Sequence, residues 1–269
     1  MTTLQHSAAP TAREPGRWEP VRWEPVRREL AQWELAQREP VRWPVRSEPV
    51  LWVGAQVLLL QLLEVAVGLG PPGWFAGVAH AVATSALLGG AVRRTGHRLG
   101  PADRVTLARG LLVGGVTALV AARSGETAPL VALASVALAL DFVDGRVARR
   151  TGTASPLGAR FDMEVDAFLI LVLSVHAAWQ LGPWVLVIGV MRYAFVAASW
   201  PWGWLRGDLP PSRARKVVAA VQGVVLVVAV SGLVPFAGAL VGGALAALVW
   251  SFGRDTARLF GRRGLCPSR

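Results

Sequence analysis

An all-α, polytopic transmembrane helix bundle is predicted by three observations. The 269-residue chain is 53% hydrophobic with a mean hydropathy of +0.44, more apolar surface than a soluble domain of this size would bury. After residue 50, eight apolar runs of near-bilayer length follow one another. The formal net charge is +11, and its excess of cations falls between those runs.

Residues 1–50 come first, as a degenerate five-residue repeat: RWEPV at 17–21 and 22–26, then RRELA, QWELA and QREPV. Eight arginines against seven glutamates leave this segment nearly neutral, and prolines at 15, 20, 25, 40, 44 and 49 interrupt helical hydrogen bonding. It reads as a disordered, solvated tail, with a surface-lying segment dipping Trp18, Trp23, Trp33 and Trp43 into headgroups as the alternative. No secretory signal is expected there, because the first apolar run begins only near residue 50.

Residues 51–100 form a transmembrane hairpin, with spans at 51–69 and 73–91 separated by Gly-Pro-Pro-Gly, and then a basic juxtamembrane segment. Residues 101–252 form a six-helix core with spans at 105–122, 128–145, 161–180, 184–200, 216–233 and 235–252. Short breaks after the third, fifth and seventh spans make consecutive helices antiparallel neighbours. Residues 253–269 are a basic tail, whose Cys266 is a lone thiol that cannot form an intrachain disulfide.

Charge orients the bundle. Of the twenty Lys and Arg residues after residue 50, eighteen lie on the side of the amino terminus, Arg123 lies opposite and Arg192 lies inside a span. The positive-inside rule then places both termini, and everything on their side, in the cytoplasm. Trp52, Trp74, Trp179, Trp184, Trp200, Trp202, Trp204 and Trp250 fall near span ends, as interfacial tryptophans do. Cations interleaved with apolar spans point to membrane lipids as partners rather than nucleic acid. Arginine used almost to the exclusion of lysine reads as GC-rich coding, and hence a bacterial plasma membrane.

The chemistry is concentrated in residues 141–166, DFVDGRVARRTGTASPLGARFDMEVD. Asp141, Asp144, Gly145 and Ala148 are spaced i, i+3, i+4, i+7, a single stripe of two carboxylates and two small residues on one helix face. Ser155 and Pro156 suit the cap and first position of the next helix. Gly158, Asp162 and Asp166 then recur every fourth residue on that helix. Four converging carboxylates beside lipid are costly unless protonated, paired or metal-bound. Hard oxygen donors without a histidine or cysteine cluster favour Mg²⁺ or Mn²⁺, and such an ion beside Arg149 suits a pyrophosphate.

The full pattern, D-x-x-D-G-x-x-A-R, eight residues, then G-x-x-x-D-x-x-x-D, resembles the signature of the membrane CDP-alcohol phosphatidyltransferases. Asp141, Asp144, Gly145, Ala148, Arg149, Gly158, Asp162 and Asp166 fill all eight of its defined positions. PADRVTLARG, with Thr106 and Arg109, is similar to that family's first core helix, although an asparagine usual there is replaced in the neighbourhood of Ala102 and Asp103. The resemblance covers roughly residues 100–252 and implies a six-helix core, a homodimer and a cavity open to the cytoplasm. It implies transfer of a phosphatidyl-type group from a CDP-linked lipid, CDP-diacylglycerol foremost, to a polar alcohol, with release of CMP. It implies that Asp141, Asp144, Asp162 and Asp166 hold Mg²⁺ or Mn²⁺, as two ions, and that Asp166 is also the base for the attacking hydroxyl. Gly145, Ala148, Arg149 and Gly158, with Thr106 and Arg109, would accept the CDP moiety.

Acceptor recognition is assigned to Arg192, Arg213, Arg215 and Lys216, whose charges tilt the acceptor toward a phosphorylated alcohol. Glu164, on the opposite side of its helix from the motif acids, reads as a rim or dimer-contact residue. His80 and His176 read as packing residues with one local hydrogen bond each, and Glu64 as a protonated or paired acid on a helix interface. Two other classes compete. An intramembrane prenyltransferase also uses acids and Mg²⁺, but on widely separated helices, and a non-catalytic subunit or transporter would be expected to have lost a motif aspartate.

Overall fold

The computed structural model describes residues 48–95, 101–151, 156–206 and 213–262; the repeat tail lies outside the described residues, as do the side chains of residues 144–151 and of Arg213. Among the described residues the chain is all helix, without strands. Eight α-helices follow in order: α1 (Glu48–Val67), α2 (Gly70–Thr95), α3 (Pro101–Ala122), α4 (Thr127–Thr151), α5 (Pro156–Leu181), α6 (Leu186–Ala198), α7 (Arg213–Val230) and α8 (Ala237–Arg262). Each of the eight apolar runs is one of these helices. Three of them, over Gly70–Arg94, Asp103–Ala122 and Ala237–Gly261, are long and apolar enough to cross a membrane by length and composition.

The joints follow from local chemistry. Between α1 and α2, Gly68 and Gly70 take φ of 69° and 60°, left-handed values that glycine adopts without a Cβ penalty. The Glu64 carboxylate accepts hydrogen bonds from the Leu69 and Gly70 backbone N–H groups at 3.1 and 3.2 Å and from Trp74 Nε1 at 2.9 Å. It therefore caps the open N-terminus of α2, where negative charge is favoured. At the end of α3 the left-handed position is held by Arg123, with φ of 51°, where glycine is the usual occupant. A non-glycine residue there costs roughly 1–2 kcal/mol.

Helix α3 is the centre of the bundle and packs on α1, α2, α4 and α5. Val113, Val116 and Leu119 of α3 are fully buried with Leu130 and Ala134 of α4, Leu169 and Leu173 of α5 and Leu226 and Val230 of α7. Close approach depends on small residues. A Cβ on Gly114 would stand 2.6 Å from the Gln56 carboxamide and 2.8 Å from His80, so this one position admits α1 and α2 onto α3. A Cβ on Gly189 of α6 would stand 2.3 Å from Ser174 Oγ and 2.6 Å from Leu171 Cα of α5. Leu51, Leu58, Leu62 and Val65 of α1 and Phe75, Val82 and Leu87 of α2 are exposed, the pattern of helices whose outer face meets lipid.

Two boundaries run past the sequence reading. Helix α4 continues to Thr151 rather than stopping near residue 145, so Asp141 to Arg149 share one continuous helix. Helix α8 continues to Arg262, so most of the expected C-terminal tail is helical. Ser251, Asp255 and Leu259 are buried at spacings of four, and Phe260 meets Trp204 edge-on. Apolar length marks a span, whereas an amphipathic extension past the bilayer is shown only by what it packs against.

Candidate metal and nucleotide site

Three helices build the acid cluster. Helix α4 brings Asp141, α5 brings Asp162 and Asp166 one turn apart, and one carboxylate oxygen from each lies within 4.8 Å of the others. Helix α3 brings Arg109, whose side chain is 1% exposed although it carries a full charge. Its Nη1 donates to Asp162 Oδ1 and lies 3.1 Å from Asp141 Oδ1, while Nη2 donates to Asp166 Oδ1. A single planar guanidinium thus gathers three carboxylates from two helices, a task suited to its fixed fork of donors.

The electrostatics follow by counting. Three ionised carboxylates and one guanidinium leave two negative charges, the amount one divalent cation cancels. The donors are hard oxygens, and each carboxylate is about one-third exposed, at 32%, 31% and 35%, so the cluster is reachable from outside the bundle. The residues present therefore fit a Mg²⁺-type ion.

The other expected site residues divide into those the structure brings here and those it does not describe. Thr106, one turn before Arg109, is buried at 4% exposure. Gly158, one turn before Asp162, is half-buried on α5. Asp144, Gly145, Ala148 and Arg149 lie on the backbone of α4 within the next two turns after Asp141, and their side chains are outside the described residues. Asp103, also buried, sits in the first turn of α3 where the resemblance was weakest, and its burial could not be foreseen from an acid at a helix start.

Of the four residues assigned to the acceptor, two meet carboxylates within the chain. Arg192 donates to Glu164 of α5, the acid read as a rim or dimer contact, whose side chain is 55% exposed. Arg215 lies 3.6 Å from Asp255 of α8, which Arg254 and Arg258 also approach, each at 3.7 Å. Lys216 is exposed, and the side chain of Arg213 is not described. Asp255 was missed in the sequence, where the only signal was an acid among the arginines of the last segment.

The packing residues are mostly as expected. His80 Nε2 lies 2.9 Å from the Gly110 carbonyl, and its ring stacks on Phe168 at 5.1 Å. His176 packs against Trp179 at 5.4 Å, but among the described residues neither of its ring nitrogens has a hydrogen-bond partner, against the expectation of one.

In this all-α bundle, Asp141 of α4 meets Asp162 and Asp166 of α5 over Arg109 of α3, and that donor set defines a protein with a candidate divalent-ion site. The CDP-alcohol phosphatidyltransferase family matches this chain over residues 101–252, more than half its length, and the chain belongs to that family. Helices α3 to α8 carry that match, and α1 and α2 stand outside it. Among curated proteins, ethanolaminephosphotransferase 1 of Homo sapiens is 33% identical over 88 residues, an overlap of 26% of this chain and 22% of that protein. The chain thus spans about a fifth of that relative's length. No solved structure matches it.

Proposed function

We propose that the chain transfers a phosphatidyl-type group from a CDP-activated lipid, CDP-diacylglycerol foremost, to a polar alcohol, releasing CMP in phospholipid biosynthesis. The observation that carries this reading is the convergence of Asp141, Asp162 and Asp166 within 4.8 Å. Asp141, Asp144, Asp162 and Asp166 would hold Mg²⁺ or Mn²⁺, as two ions on the family pattern. Bound there, the metal would offset the charge on the pyrophosphate and make CMP a better leaving group. Gly145, Ala148 and Gly158 would let the CDP approach the helices closely, with Arg149 and Thr106 toward its phosphates. Arg109, already spent on three carboxylates, would hold the acids in register.

Asp166 would take the proton of the acceptor hydroxyl as that oxygen bonds to the lipid-bearing phosphorus. The bond from this phosphorus to the bridging oxygen then breaks, and the electron pair leaves with CMP. Arg192 meets Glu164, but Asp255 is shared by Arg215, Arg254 and Arg258, so an excess of positive charge remains there and a phosphorylated alcohol stays the acceptor these cations favour. A homodimer in a bacterial plasma membrane, with termini and site on the cytoplasmic side, belongs to the same reading.

A second reading is favoured by the name of the relative, ethanolaminephosphotransferase. In it, CDP carries the small alcohol and the lipid supplies the hydroxyl, at the same acid cluster. The test is CMP release by the purified chain with Mg²⁺ or Mn²⁺. CDP-diacylglycerol is offered with a panel of serine, inositol, glycerol phosphate and inositol phosphate, and CDP-ethanolamine with diacylglycerol. Asp166→Asn is expected to lower the rate at least about 100-fold while the melting temperature holds. Turnover at the normal rate would remove Asp166 as the base, and no CMP from any pair would leave a non-catalytic subunit.

A further inference from the structure

At the opposite end of α3 and α5 from the acid cluster, the two helices enclose an open groove of about 340 Å³, a volume in the range of small-ligand sites. Arg123 is 14 residues beyond Arg109 along α3, roughly 21 Å at 1.5 Å per residue, so the groove is separate from the site above. Its walls are Val120 and Ala121 of α3 and Leu171, Val172 and Val175 of α5, and its remaining end is formed by Arg123 and Trp179. Thr117 also lines it, but its hydroxyl is spent on the Val113 carbonyl at 2.7 Å.

Arg123 carries the inference. Its guanidinium lies over the Trp179 ring, 4.6 Å from the centroid, and among the described residues no carboxylate pairs with it, Glu126 three residues on included. It occupies a left-handed backbone position that glycine would fill without strain. It is also the one cation that the charge pattern leaves on this side of the chain. An unpaired, exposed arginine kept at a strained position, beside an interfacial tryptophan and above an aliphatic groove, has the chemistry of a phosphate site over an acyl-chain site.

We propose that this groove binds an anionic glycerophospholipid from the surrounding leaflet, with one acyl chain between α3 and α5 and the phosphate on Arg123. Charge complementarity selects this occupant over diacylglycerol, which has no phosphate; a second copy of the chain, whose exposed Glu126 is an anion near this end, is separated from it by the test. The site does not depend on which alcohol the acid cluster serves.

The test is native mass spectrometry of the purified full chain titrated with phosphatidylglycerol, with glycerol phosphate and diacylglycerol as headgroup-only and chain-only probes. Saturable retention of phosphatidylglycerol is expected, with both partial probes held far more weakly. R123G suits the backbone and so should fold at least as well, yet retain the lipid about tenfold less. A121W fills the groove and should lose it, with the melting curve checking the fold. Retention unchanged in R123G, or diacylglycerol bound as tightly as phosphatidylglycerol and lost in A121W, overturns the proposal. A dimer that A121W dissociates without altering lipid retention assigns the groove to a second copy and overturns it equally.

Discussion

Arg109→Gln separates the holding of the aspartates from their chemistry. Glutamine keeps much of the reach of arginine but loses the charge, leaving Asp141, Asp162 and Asp166 facing one another uncompensated. Removing one partner from a buried ion cluster costs roughly 3–5 kcal/mol. The arginine is 1% exposed but the carboxylates are about one-third exposed, so solvent screening places the effect near the lower bound. At roughly 2–4 °C per kcal/mol for a chain of this order of size, about 3 kcal/mol lowers the melting temperature by about 6–12 °C. The assay is thermal unfolding in detergent, in chelator and then with Mg²⁺ added. In chelator the variant should melt lower than the native chain. With Mg²⁺ it should recover more than the native chain gains, because the cation meets three unpaired charges instead of a net two. Arg109→Lys should fall between, since an ammonium is a compact charge without the planar fork that reaches three acceptors. Equal melting of variant and native chain in chelator, or no Mg²⁺ response in the variant, would refute the assignment of Arg109 as the group that gathers the acids.

Two further predictions concern the frame around the site. Gly189→Ala should destabilise by roughly 1–3 kcal/mol, because its Cβ would stand 2.3 Å from Ser174 Oγ and 2.6 Å from Leu171 Cα. Adding Ser174→Ala should not restore the melting temperature, since the Leu171 backbone still blocks the methyl. Glu64→Ala removes the acceptor of three hydrogen bonds at the start of α2 and should cost about 2 kcal/mol. Hydrogen exchange should then speed up at the Leu69 and Gly70 amides, and unaltered exchange at both would show that water serves them as well as the carboxylate does.

The helices and the aspartates were legible in sequence because both are local properties. An apolar run of bilayer length is read residue by residue, and a spacing of three or four places Asp141 with Asp144, or Asp162 with Asp166, on one face wherever the helix goes. Asp255 was legible only in part: Arg258 follows it at i+3 on α8, but its partner Arg215 belongs to α7, a helix contact that no spacing within α8 reveals.

Sequence by itself determined the all-α class, the order of eight helices, and the residue types able to hold a divalent ion. Only the tertiary structure decided where the charges are spent. Arg109 lies between three aspartates, Arg192 meets Glu164, and Arg123 has no carboxylate partner among the described residues. A charge can be counted from composition, but whether it is neutralised depends on distances of a few ångströms between residues 28 to 57 positions apart, and packing sets those distances.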